Sequence, residues 1–99
     1  MKKLKEADPT ALKKWFRCYY PRLMRICTQR VGDHKDAEDI VQETMINSLR
    51  QLQLYAQRAS LLSWMVSILR HEIADYYRKK YAKKAIHLLP MGDRLLVSP

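Results

Sequence analysis

The sequence predicts an all-α domain, a compact bundle of three to four helices, and three observations carry that prediction. Apolar residues recur at intervals of three and four along most of the chain, the period of a helix with one buried face. Only two Gly and four Pro are present, too few for a turn-rich β-sandwich or a glycine-rich nucleotide-binding fold. The strong helix formers Leu, Ala, Lys, Arg and Met outnumber the β-branched residues. At 99 residues and 47% apolar content the chain can build one core and no more.

The first helix is expected from about Thr10 to Val31, where Leu12, Trp15, Phe16, Tyr19, Leu23, Ile26 and Cys27 keep helical spacing. Trp15, Phe16 and Tyr19 read as core aromatics. Pro21 falls inside this stripe and should kink the helix or split it in two, because its ring removes a backbone donor and clashes with the preceding turn. Gly32 follows as the residue past the helix end. Cys18 and Cys27 stand nine apart, which on a helix is ~13 Å and opposite faces, beyond disulfide reach.

Asp33 caps a second helix whose inward stripe is Ala37, Ile40, Val41, Met45, Leu49 and Leu52. Residues Gln53 to Ala59 break the rhythm and read as a loop. Ser60 caps a third helix from Leu61 to about Lys84, with Leu61, Trp64, Met65, Ile68 and Tyr76 turned inward. His71, Asp75, Arg78 and Lys79 line another face. Tyr77 and Tyr81, interleaved with Arg78, Lys79 and Lys80, suit either packing or the edge of a nucleic-acid groove. After Ala85 the pattern decays, so residues 1–9 read as a tail, 10–84 as the helical domain, and 85–99 as a tail or the start of a linker.

The net charge is +9, from 19 basic and 10 acidic residues, which makes a polyanion or anionic surface the leading partner class. The charge is also segregated. Residues 33–43 carry five acids against Lys35, a net of −4, whereas 70–84 carry six basic residues against Glu72 and Asp75, a net of +4. Such runs suit solvated helix faces, or two docking surfaces, one for a basic protein and one for nucleic acid. Some of the acids also complement the second helix's dipole. No catalytic set is visible: His71-Glu72 opens like a zinc-protease motif, but Asp75 stands where the second His belongs. Neither a phosphate-binding glycine loop nor a metal-ligand spacing of His and Cys is present. The reading is therefore non-enzymatic, with no cofactor and no metal. The start MKKLKEADPT lacks the apolar core of a secretory signal, and no apolar run approaches the ~20 residues that span a bilayer. A cytoplasmic protein with reduced thiols and no membrane insertion is expected.

Three blocks in order, YYPRLMRI (Tyr19 to Ile26), GDHKDAEDIVQETMINSL (Gly32 to Leu49) and SLLSWMVSILRHEIADYYRKK (Ser60 to Lys80), resemble region 2 of bacterial RNA polymerase sigma factors. The resemblance is to the extracytoplasmic-function group, covers about residues 10–84, and is most specific in DAEDIVQET. It implies a sigma factor domain that binds RNA polymerase core, recognises the promoter minus-ten element and helps open it in transcription initiation. The second helix would dock on the clamp helices of the polymerase β′ subunit, with Asp39, Gln42 and Glu43 at polar positions and Leu49 at an apolar one. The loop from about Leu54 to Ser60 would hold a flipped base, and the third helix would contact the non-template strand and adjacent duplex. Carried over residue by residue, the DNA-binding set is Arg58, Ser60, Ser63, Ser67, Arg70, His71, Arg78, Lys79 and Lys80.

Departures from the family pattern also matter. His71 replaces an Asn frequent among relatives, which alters the donors and acceptors offered to a base. Met65 stands where primary sigma factors carry a second melting tryptophan, and core packing is favoured for Trp64. The family's C-terminal promoter-reading domain has no counterpart after Ala85, so a one-domain fragment is expected. The resemblance also brings an anti-sigma factor into the partner class. The rival reading is a basic helical interaction module that binds a protein or an anionic surface without promoter DNA.

Overall fold

The computed structural model describes residues 2–88. Among these described residues are four helices and one 3-10 turn: α1 (Lys2–Lys5), α2 (Pro9–Thr28), α3 (His34–Gln51), the 3-10 turn Leu52–Leu54, and α4 (Leu61–Leu88). The all-α bundle expected from periodicity is present. α3 packs against both α2 and α4, and α2 also touches α4, so the three long helices share one core. Leu23 and Cys27 enter it from α2, Ala37, Val41 and Met45 from α3, and Met65, Leu69 and Ile73 from α4.

The helix starts are governed by short side chains. Asp33 Oδ1 accepts from the Asp36 amide at 2.9 Å, and Ser60 Oγ from the Ser63 amide at 3.1 Å, so both expected caps form. A third cap was not expected. Asp8 Oδ1 accepts from the amides of Thr10 and Ala11 at 2.9 and 3.2 Å, and Pro9 occupies the first helical turn, where its missing N–H costs nothing. Ahead of it, α1 buries Leu4, and the Gln53 side-chain amide donates to the Lys5 carbonyl at 3.2 Å. Residues read as a tail thus contribute a helical turn to the core.

Several expectations are corrected. Of the kink or split expected at Pro21, the split does not occur: α2 runs through it as one helix. Pro21 lies on the exposed side, where water can satisfy the carbonyl that loses its donor. The helix ends at Thr28, short of Val31, because the Arg30 and Val31 amides both turn back to the Cys27 carbonyl, and Val31 is then buried. Gly32 has negative φ and open space around its Cα, so it is not the left-handed helix-ending residue expected. At the other end α4 outruns its expected limit near Lys84 and continues to Leu88, so Ala85 is helical. The remainder of the expected tail, residues 89–99, lies outside the described residues.

The core register also differs in detail. Phe16 is 46% exposed and Leu49 39% exposed, while Thr44 and Ser48 are buried on α3. Their hydroxyls donate to the Ile40 and Thr44 carbonyls at 2.8 and 2.7 Å, so neither is buried unpaired. On α4 the fully inward stripe is Met65, Leu69 and Ile73, whereas Leu61, Trp64, Ile68 and Tyr76 flank it half-buried.

Cys18 is exposed, Cys27 is buried, and both are free. Burial pushes the Cys27 thiol above its ordinary pKa, and its Sγ lies 3.8 Å from the Ala37 carbonyl as a weak donor. A maleimide should therefore label Cys18 in the folded protein and spare Cys27, and reductant should leave the melting curve in place. Labelling of Cys27 as fast as Cys18 would contradict this packing.

Candidate functional site

Two solvent-facing surfaces lie on α3 and α4, each directed away from the shared core. On α3 the interior claims Ala37, Val41, Thr44 and Ser48, which leaves Asp39, Gln42, Glu43, Ile46 and Leu49 on the outer face. Between α2 and α3 runs an open groove of about 250 Å³ lined by Trp15, Phe16, Gln42, Met45, Ile46 and Leu49. Phe16, Ile46 and Leu49 are all exposed large hydrophobic residues. Their convergence makes one apolar strip, and Asp39 and Glu43 continue it as an acidic edge. An apolar centre with a charged rim is the composition of a protein-docking surface. The Phe16 ring stacks on Tyr20 at 4.9 Å between centroids, which holds this aromatic in place although it faces water.

A second groove, about 240 Å³, separates α3 from α4 and is lined by Asp36, Asp39, Glu43, Glu72, Asp75, Tyr76 and Lys79, with Ile40 at its floor. Two hydrogen bonds tie its walls: Tyr76 Oη donates to Asp36 Oδ2 at 2.6 Å, and Asn47 Nδ2 to Glu72 Oε1 at 2.7 Å. The bond to Asp36, followed by desolvation, holds the Tyr76 phenol above its ordinary pKa, while Lys80 pulls the other way.

Opposite the buried stripe of α4, Ser63, Ser67, Arg70, His71 and Arg78 form a second exposed surface. Their offsets of 0, 4, 7, 8 and 15 keep them on one helix face. Ser60 begins this line and Arg58 stands just before it in the exposed loop. Ser67 Oγ donates to the Trp64 carbonyl at 2.5 Å, which leaves its own oxygen free to accept. Arg78 pairs with Asp75 at 2.8 Å, an exposed pair of the kind worth little in water and readily exchanged.

The structure does not put Lys79 and Lys80 on this stripe. Lys79 faces the α3–α4 groove, and Lys80 Nζ lies 5.6 Å from the centroid of the Tyr76 ring. Beyond Tyr77 every side chain described on α4 is exposed, including Tyr81, Lys83 and Lys84. Tyr77 is half-buried, donates to the Arg30 carbonyl, and stacks on Tyr81 at 5.9 Å. Trp64 is half-buried against Tyr55, and Met65 is fully buried, which removes Met65 from any surface.

The Sigma-70 region 2 family matches residues 15–83, a span holding both surfaces and the loop between α3 and α4. The chain belongs to that family. Relatives include the ECF RNA polymerase sigma factor SigX of Bacillus subtilis, 32% identical over 62 residues, which cover 63% of this chain and 32% of that protein. The RNA polymerase sigma factor YlaC of Bacillus subtilis is 25% identical over 64 residues, covering 65% and 37%. A probable RNA polymerase sigma factor of Haemophilus influenzae is 34% identical over 44 residues, covering 44% and 23%. The chain thus spans about a third of the length of the first two. No solved structure matches it.

Within this sigma region 2 domain, Phe16, Ile46 and Tyr55 were absent from the sequence-based site. Phe16 and Ile46 adjoin the buried residues Trp15 and Met45, and periodicity cannot tell a core edge from an exposed strip beside it. Tyr55 lies in the segment read as loop but is buried, its ring 5.0 Å from that of Trp64. Among the described residues no helix is long and apolar enough to cross a membrane.

Proposed function

We propose that this domain joins RNA polymerase core to the promoter minus-ten element during transcription initiation, as a binding module without chemistry of its own. One observation carries the reading: a single small core exposes an acidic and apolar face on α3 and a serine–arginine–histidine stripe on α4, so two macromolecules can be held at once. The α3 face, with Asp39, Gln42, Glu43 and Leu49 extended by Phe16 and Ile46, meets the β′ clamp helices of polymerase core, where an acidic rim suits a basic coiled coil. The loop with Arg58 and Ser60 receives an unstacked base of the non-template strand. Ser63, Ser67, Arg70 and His71 follow that strand, and Arg78, Lys79 and Lys80 hold phosphates nearer the duplex. An anti-sigma factor would compete for the same α3 face. The setting is the cytoplasm, where polymerase works.

The domain should prefer single-stranded non-template DNA to duplex, since a closed duplex first demands a few kcal/mol of unpairing and unstacking. If Arg70, Arg78, Lys79 and Lys80 neutralise about four phosphates, log affinity falls against log salt with a slope near −3, at ~0.7 per phosphate. Replacing Lys79 and Lys80 by Ala should make that slope shallower by about 1.4 and weaken all sequences alike. Fluorescence anisotropy across salt concentrations measures both, with and without polymerase core. Core-independent binding to anionic vesicles, with no capture of core and no preference for single strands, would favour the interaction-module reading instead.

A further inference from the structure

We propose that Tyr55 is a positioning residue: its hydroxyl holds the loop of residues 56–59 in the shape that receives an unstacked base. The proposal rests on the strand-reading function given above and names a device within that site.

Tyr55 differs from everything around it. It is 7% exposed, whereas each residue from Ala56 to Ser60 is exposed. Its ring stacks on Trp64 of α4 at 5.0 Å and 30° between planes, which anchors the ring to the first turn of that helix. Its amide donates to the Leu52 carbonyl at 3.1 Å, closing the 3-10 turn. Its hydroxyl donates to the Ala59 carbonyl. One side chain therefore bridges the two ends of the loop, while Ser60 fixes the exit by capping α4.

Between those ends Gln57 has φ 59°, a left-handed backbone that a residue with a Cβ adopts only when its surroundings impose it. The loop contains no glycine to adopt it freely. The Tyr55–Ala59 bond supplies that constraint. Without it the segment would relax toward ordinary backbone angles, and Arg58 would lose its fixed place beside Ser60. A loop already ordered before binding avoids the ordering cost that a loose loop meets on capturing a base. A phenylalanine keeps the ring and the stack but loses the bridge, so the hydroxyl and its bulk packing can be tested separately.

The test uses the 99-residue chain and a pool of fluorescein-labelled single-stranded 15-mers, about that length so as to exceed one binding site, with a randomised centre. The wild type enriches one sequence from the pool, and its affinity is compared with that for an oligothymidylate of equal length. In Tyr55→Phe this preference should fall about tenfold, the net worth of one hydrogen bond. Oligothymidylate affinity, salt slope and capture of polymerase core should stay unchanged. Hydrogen exchange at Gln57, Arg58 and Ala59 should accelerate while that of Leu69 does not. Full preference in Tyr55→Phe overturns the proposal. So does an equal loss of oligothymidylate binding and of preference, which would make the residue a general support of the fold. Failure of the wild type to enrich any sequence would overturn the strand-reading function itself, and this proposal with it.

Discussion

Asp39→Arg combined with Glu43→Arg is expected to abolish binding to polymerase core while leaving helix content and melting temperature nearly unchanged. Both side chains are exposed on the outer face of α3, and neither forms an ion pair among the described residues. Their replacement thus removes nothing on which folding depends, and exposed substitutions of this kind usually shift stability by under ~0.5 kcal/mol. Binding is another matter. Two acids facing a basic partner become two cations facing it, and like-charge contacts at an interface cost several kcal/mol. At about 1.4 kcal/mol per decade, that is at least a hundredfold to a thousandfold loss of affinity. Co-purification with polymerase core, paired with circular dichroism, measures both quantities. A folded double variant that binds core with wild-type affinity would remove α3 from the interface.

Leu69→Ala should be the most destabilising of the α4 truncations to alanine. Leu69 is fully buried at the centre of the Met65–Leu69–Ile73 stripe, and truncating such a residue removes transfer energy and leaves a cavity, together about 2–5 kcal/mol. For a domain of this size each kcal/mol lowers the melting temperature by roughly 4–8 °C, so a drop beyond ~10 °C is expected. Ile68→Ala, one residue earlier and only half-buried, should cost markedly less. Thermal melts of the two variants decide the register of α4. A larger effect at Ile68 would mean that the helix is rotated by about one residue from the arrangement described.

The parts of the fold legible in the sequence are those that depend on neighbours along the chain. Asp33 and Ser60 are identifiable as caps because a short oxygen-bearing side chain reaches amides only two or three residues away. The helical segments are identifiable because the stripe on each is a local repeat. Phe16 and Leu49, and the split considered at Pro21, mislead for the opposite reason. Whether a proline splits a helix depends on whether its orphaned carbonyl meets water, and whether an apolar residue is core depends on a partner helix elsewhere in the chain. With α3 covered by α2 on one side and α4 on another, its far edge remains open, and apolar residues there stay exposed. The candidate site residues show the same division. The family resemblance implies the candidate residues from Ser63 to Arg78, and helical spacing puts them on one face. The same spacing turns Lys79 and Lys80 off that stripe, whereas the place of Tyr55 follows from a contact across the loop.

The overhang of α4 has an energetic consequence of its own. From Arg78 to Ile86 every residue is exposed, so beyond the groove that Lys79 lines the helix is held mainly by its own backbone bonds and by growth from the packed turns before it. A free segment of that length would be marginal, because initiating a helix is costly, whereas extending one is cheap. Along it Lys79 and Lys83, and Lys80 and Lys84, stand four residues apart, and each like-charged pair opposes helix formation by about 0.2–0.5 kcal/mol. A phosphate chain laid against these lysines would cancel that repulsion. Winding of the final turns and occupancy by the polyanion are therefore linked, and by thermodynamic reciprocity each favours the other. If the proposed phosphate contacts form there, the arm would stiffen where it is neutralised, and its helix length would be part of the binding equilibrium.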